Sequence, residues 1–161
     1  MISTPIFAAI LWAVILGGLG GALTKIGPWY RNLKKPSWQP PDWLFGPAWT
    51  VILGLAAWAA ILSWNAAGSD VERLSIIIAY AVNFLCHFAW SPLFFTWQRP
   101  DWALIEVVFL WFSVLALLIV TSGLSTLAGV MIVPYLLWVS FAAILNAKIV
   151  QLNRPFSGLT A

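Results

Sequence analysis

Charged side chains are sparse enough in this chain to mark its divisions. Met1 to Thr24 carries none, nor does Trp43 to Ser69, nor Leu74 to Gln98; Val107 to Ala147 is uncharged throughout and long enough for two segments of the same size. About 20 apolar residues at a rise of roughly 1.5 Å each cover the hydrocarbon of a bilayer as an α-helix. The polar cluster Thr121-Ser122-Gly123-Leu124-Ser125-Thr126 supplies a turn inside the longest stretch. The pattern predicts helices over 6–25, 43–65, 73–97, 102–121 and 127–150. A membrane barrel would show segments of roughly ten residues in which apolar and polar positions alternate, and none is visible. The expected fold is an all-α integral membrane protein, a bundle of five transmembrane helices, forming a single domain over residues 1–161.

Composition agrees: 62% of the 161 residues are hydrophobic and 8% charged, where a soluble domain carries about 25% charged residues. With an odd number of crossings, the loop at 26–42, the link near 98–101 and the C-terminus share one side. That side holds Lys25, Arg31, Lys34, Lys35, Arg99, Lys148 and Arg154, and the other holds Arg73. Basic residues favour the cytoplasmic side, which predicts a cytoplasmic loop 1 and C-terminus and an external N-terminus. No Lys or Arg precedes the first apolar run, which reads as a permanent helix and not as a cleaved signal. Within that run, Gly17-x-x-x-Gly21 would admit a close helix, inside the bundle or at a dimer seam.

Several function classes find no support. No basic tract interleaves with aromatics, which argues against nucleic acid as a partner. Cys86 is the only cysteine and His87 the only histidine, which excludes an internal disulfide and a cysteine cluster and leaves no expected metal site. Glu106 and Lys148 sit within reach of helix ends, where snorkelling to the headgroups is the expected behaviour. Ion-coupled transport, which relies on intramembrane charge, therefore has little to work with.

Tryptophan is what the chain has in excess, with twelve. Trp29, Trp38, Trp43, Trp97 and Trp102 fall near predicted span ends and suit interfacial anchoring. Trp49, Trp58, Trp90, Trp111 and Trp138 lie deeper; turned inward they would build a flat-walled, mostly apolar pocket. In span five Trp138, Phe141, Ala142 and Leu145 follow i, i+3, i+4, i+7 and share a helix face, which serves a pocket or plain bundle packing equally. In span three Asn83, His87 and Trp90 form one stripe; a lone buried histidine bonds to a neighbouring helix or to a ligand. Loop 1, stiffened by Pro28, Pro36, Pro40 and Pro41, is long for a link between packed helices. It suits a cap over a pocket or a belt in the interface.

Three strings carry a resemblance: Trp29-Tyr30…Lys35-Pro36-Ser37-Trp38-Gln39-Pro40-Pro41…Pro47-Ala48-Trp49-Thr50, then Trp90-Ser91-Pro92-Leu93-Phe94-Phe95, then Val133-Pro134-Tyr135-Leu136-Leu137-Trp138…Phe141-Ala142…Leu145-Asn146. In order and spacing they resemble the translocator protein/tryptophan-rich sensory protein family, in its bacterial form to judge by Asn153-Arg154-Pro155. The resemblance implies a five-helix bundle, often a homodimer, in a bacterial inner membrane, with loop 1 closing a pocket for tetrapyrroles such as protoporphyrin IX and haem, or for other hydrophobic small molecules. No cofactor is required; porphyrin or haem is the ligand. Matched by motif, Tyr30, Pro41, Trp49, His87, Trp90, Trp138, Ala142 and Leu145 would line it, Trp38 and Phe141 stand beside them, and Trp102 matches a ligand-touching Trp of some relatives. The family usually has Asn where this chain has His87. The stretch after Leu145-Asn146 lacks the tyrosine of the sterol pattern, so sterol binding is not implied.

The resemblance implies two functions. One is a receptor or sensor that binds porphyrin, and regulates or moves it, without energy coupling. The other is a light- and oxygen-dependent porphyrin-degrading enzyme, in which Trp49 and Trp138 would be the catalytic, oxidisable residues.

Overall fold

The computed structural model describes residues 4–156. Five of its helical segments are long and apolar enough to cross a membrane. In chain order the helices are α1 (Thr4–Leu23), the short, non-spanning α2 (Pro28–Asn32) within loop 1, α3 (Asp42–Ala66), α4 (Asp70–Ser91) continued by a π-helical turn (Pro92–Thr96), α5 (Pro100–Leu124) and α6 (Thr126–Asn153). The spans fall where the uncharged stretches place them, extended by one to three residues at most ends.

The extensions have local causes. α4 begins at Asp70, not at 73, because Ser69 and Glu72 form a capping box: the Ser69 hydroxyl accepts from the Glu72 amide and the Glu72 carboxylate accepts from Ser69 N–H. Asp70 and Glu72 in that first turn also suit the positive end of the helix dipole. Ser125 caps α6 by accepting from the Ala128 amide, and Pro100 starts α5, where a missing N–H costs nothing. α3 and α6 each contain a proline, Pro47 and Pro134.

Packing closes the spans into a ring: α1 lies between α3 and α4, α4 meets α5, α5 meets α6, and α6 returns to α3. The outer surface is apolar, with Phe7, Val14, Phe109, Phe112 and Ile144 all exposed on the helices. That arrangement is stable only in lipid. The chain is an integral membrane protein.

Polar side chains tie the ring together where it is dry. Trp12 Nε1 donates to the Tyr80 carbonyl (3.2 Å), joining α1 to α4, and the Tyr80 hydroxyl donates to the Ala56 carbonyl (2.7 Å) on α3. Trp111 Nε1 donates to Ser140 Oγ (2.8 Å), joining α5 to α6. The buried Asn146 amide, oriented to satisfy both neighbours, donates to Pro100 O (3.1 Å) and accepts from Leu104 N–H (3.0 Å).

Three expectations are corrected. Glu106 does not reach the headgroups: both carboxyl oxygens are enclosed, with no hydrogen-bond partner among the described residues. Trp58 is 59% exposed and faces lipid, while Trp111 serves the α5–α6 seam, so neither indole turns toward an internal pocket. Within the chain, no helix packs closely on the α1 glycines. A Cβ at Gly18, Gly20 or Gly21 would meet nothing within 4 Å, and at Gly17 one would meet only Leu53 Cδ1 at 3.7 Å.

Candidate functional site

The space beside those glycines is a partly open cavity of about 550 Å³. α1 contributes Gly17, Gly20 and Gly21; α3 brings Phe45 and Trp49; α4 brings His87 and Trp90; α5 brings Val107 and Leu110; α6 brings Trp138, Ala142 and Leu145. Glycine on the α1 wall and indole on those of α3, α4 and α6 leave a slot with flat aromatic sides. Trp49 meets Trp138 edge to face at 6.2 Å, and Trp90 stacks on Phe94 at 5.0 Å. The indole nitrogens of Trp90 and Trp138 are enclosed without a partner among the described residues.

Loop 1 closes the end of the slot that carries the basic residues. Tyr30, on α2, is buried on Phe95 (5.5 Å) and lines the cavity. Its hydroxyl donates to Asp42 Oδ1 (3.0 Å), the Gln39 amide donates to that same hydroxyl (3.3 Å) and to Asp42 (3.2 Å), and Lys35 Nζ lies 3.6 Å from the Tyr30 ring centre. Burial first, then the Asp42 carboxylate, pushes the Tyr30 phenol up to about 12. Asn153 hydrogen-bonds the loop to α6: it accepts from Lys34 N–H (2.8 Å) and donates to the Lys34 carbonyl (2.8 Å). An amide side chain here pairs with backbone as a neighbouring strand would.

Behind the wall runs a chain of hydrogen bonds. Ser113 donates to the Leu110 carbonyl (2.7 Å), Asn83 Nδ2 donates to Ser113 Oγ (2.9 Å), Tyr135 donates to Asn83 Oδ1 (3.1 Å), and His87 Nδ1 lies 2.6 Å from the Tyr135 hydroxyl. The span-three stripe is therefore divided. Asn83 is consumed by the helix seam, and His87 and Trp90 reach the cavity.

A model of the TspO/MBR family matches residues 8–152. The chain belongs to the TspO/MBR family. It is 36% identical to protein CrtK of Rhodobacter capsulatus over 94% of either chain. It is 39% identical to the tryptophan-rich sensory protein of Cereibacter sphaeroides over 84% of either. It is 30% identical to the human translocator protein, over 81% of this chain and 78% of that one.

Of the positions matched to the TspO/MBR motifs, Tyr30, Trp49, His87, Trp90, Trp138, Ala142 and Leu145 come together on the cavity. Four stand elsewhere. Pro41 is the exposed N-cap of α3. Trp38 is 46% exposed and packs on Phe141, which itself lines an outer groove between α3 and α6 with Pro47 and Pro134. Trp102 is 45% exposed at the start of α5, where the Arg99 guanidinium lies 4.2 Å from its ring and Trp97 packs against its edge. Spacing alone missed the glycine wall and Tyr135. The i, i+3 relation of Tyr135 to Trp138 was the available signal for the latter.

Proposed function

We propose that this TspO/MBR protein is a membrane receptor or sensor that takes a flat, hydrophobic ligand of the tetrapyrrole class into the cavity under loop 1, and so regulates or moves that ligand. The observation that carries the reading is the slot itself: about 550 Å³ lined by Trp49, Trp90 and Trp138 across from glycines, with Tyr30 at the loop end. Aromatic walls recognise a macrocycle by stacking and by burying its faces, and few polar groups are needed. The sensory and translocator names of its relatives agree with ligand recognition.

The test is titration of the purified protein in nanodiscs with protoporphyrin IX, followed by quenching of tryptophan fluorescence. Trp49→Ala and Trp138→Ala weaken binding at least tenfold, while the lipid-facing Trp58→Ala leaves it within about twofold. Equal losses for all three, or none, would remove the cavity from the reading. We also propose that the lid end faces the cytoplasm, from the basic residues gathered there. External thiol labelling of a Lys34→Cys variant in intact cells would overturn that orientation.

A second reading rests on the contact between Trp49 and Trp138 in the wall: two oxidisable indoles beside a bound pigment suit light-driven degradation. Illumination of the porphyrin complex in air decides it. Product formation that stops in Trp49→Phe and Trp138→Phe, with binding intact, supports the enzyme; product formed equally by an unrelated membrane protein refutes it.

A further inference from the structure

The hydrogen-bond chain behind the cavity has a direction, and the direction fixes the tautomer of His87. Its far end is the Leu110 backbone carbonyl, which can only accept. The Ser113 hydroxyl gives it its one proton (2.7 Å) and must then accept from Asn83 Nδ2 (2.9 Å). That leaves Asn83 Oδ1 to accept from the Tyr135 hydroxyl (3.1 Å). With its proton committed, the Tyr135 oxygen accepts at its 2.6 Å contact, and His87 Nδ1 carries the hydrogen. Every member of the relay is buried, and Tyr135, Asn83 and Val139 around it have no exposure at all.

A neutral imidazole protonated at Nδ1 holds a lone pair at Nε2. Nε2 has no hydrogen-bond partner among the described residues, and the His87 ring is part of the cavity wall. The fixed Nδ1–H donated to an oxygen, with the second nitrogen left free, is the arrangement seen around metal-bound histidines: the outer hydrogen bond orients the ring and raises the basicity of the ligating nitrogen.

Resting on the proposed cavity function, we propose that His87 Nε2 is an axial ligand for a metal-bearing planar macrocycle, so that the site takes metallated tetrapyrroles in preference to metal-free ones. The lone pair of Nε2 forms a dative bond to the metal and displaces the water or anion at that axial position; no electron is transferred and no proton moves. The aromatic walls hold the macrocycle, and the imidazole reads whether a metal sits at its centre. Tyr135, Asn83 and Ser113 are positioning residues, acting through the His87 ring.

The experiment compares iron(III) protoporphyrin, zinc protoporphyrin and free-base protoporphyrin IX binding to the full chain in nanodiscs. The wild type binds the two metallated forms at least tenfold more tightly than the free base, and the iron form shows the Soret and electron paramagnetic resonance signature of a nitrogen axial ligand. In His87→Ala the ratio of metallated to free-base affinity falls to near one and the signature is lost, and added imidazole restores the signature. His87→Asn, which keeps a polar side chain at the position, behaves as His87→Ala does. In Tyr135→Phe the iron complex still forms, with a shifted iron–histidine stretching frequency. An unchanged signature in His87→Ala, or equal losses for metallated and free-base forms, overturns the assignment. Failure of all three porphyrins to bind the folded wild type overturns the cavity reading itself.

Discussion

Replacing Asn153 by alanine removes the hydrogen bonds that hold the lid to α6 without touching the cavity wall. Two hydrogen bonds between loop 1 and α6 are lost, both at 2.8 Å and both to the backbone of Lys34. A net hydrogen bond contributes about 0.5–1.5 kcal/mol. Because this pair is exposed, water takes over part of its role, which leaves about 1–2 kcal/mol for the two together. At roughly 1.4 kcal/mol per factor of ten, the ratio of open to closed lid rises about 5- to 30-fold. Release of a bound porphyrin, followed by stopped-flow fluorescence, accelerates by that factor. The Lys34 amide loses its acceptor outright in the alanine variant, so its hydrogen exchange reports lid opening only where position 153 still accepts. Asn153→Asp is the sharper variant: it keeps the acceptor for Lys34 N–H and sets a carboxylate oxygen against the Lys34 carbonyl, so it opens the lid at least as far as alanine. Unchanged release in both variants, together with unchanged exchange at Lys34 in Asn153→Asp, would show that loop 1 is not held from this point.

Other changes are read more simply. Tyr30 is pushed up to about 12 in the docked lid against roughly 10 for a free phenol, so the undocked loop loses its proton first. Docking is at full strength below about pH 10 and weakens as pH rises through about 12; porphyrin release accelerates over that window, and Tyr30→Phe abolishes the slope. Tyr135→Phe strips the hydroxyl that serves both His87 and Asn83 in a fully buried site, and stability in a detergent unfolding titration falls by about 2–4 kcal/mol. Ser69→Ala removes the α4 cap and costs about 1 kcal/mol in that titration, with porphyrin affinity unchanged because the cap lies at the end away from the lid.

The membrane fold was legible because burial in hydrocarbon imposes a composition over about twenty residues at a time, and the five spans follow from where Lys25, Asp42, Arg73, Arg99 and Lys148 interrupt it. Helix faces were not legible in the same way. Lipid and protein interior are equally apolar, so no polar stripe separates Trp58, which faces acyl chains, from Trp49, which faces the cavity. Trp138 and Phe141 lie within one turn, yet only Trp138 lines the cavity, and it also borders the outer groove where Phe141 sits. The glycines of α1 illustrate the same ambiguity. A small residue makes room, and the chain alone does not say whether a helix or a void fills it. Polar residues in mid-span were better guides: Asn83 and His87 had to find partners, and did so on Ser113 and Tyr135.

The π-helical turn at Pro92–Thr96 also governs how the lid finds its seat. A π turn holds one more residue than an α turn of 3.6, so consecutive side chains are fanned less widely, and Phe94 and Phe95 both point inward, 4.8 Å apart. Trp29 and Tyr30 of the lid rest on this pair, one on each ring. Removing a single residue from the turn would therefore do more than shorten it. The helix would rewind to its ordinary pitch, neighbouring side chains would spread to roughly 100°, and the two rings could no longer face inward side by side. The shelf under the roof of the cavity depends on one surplus residue.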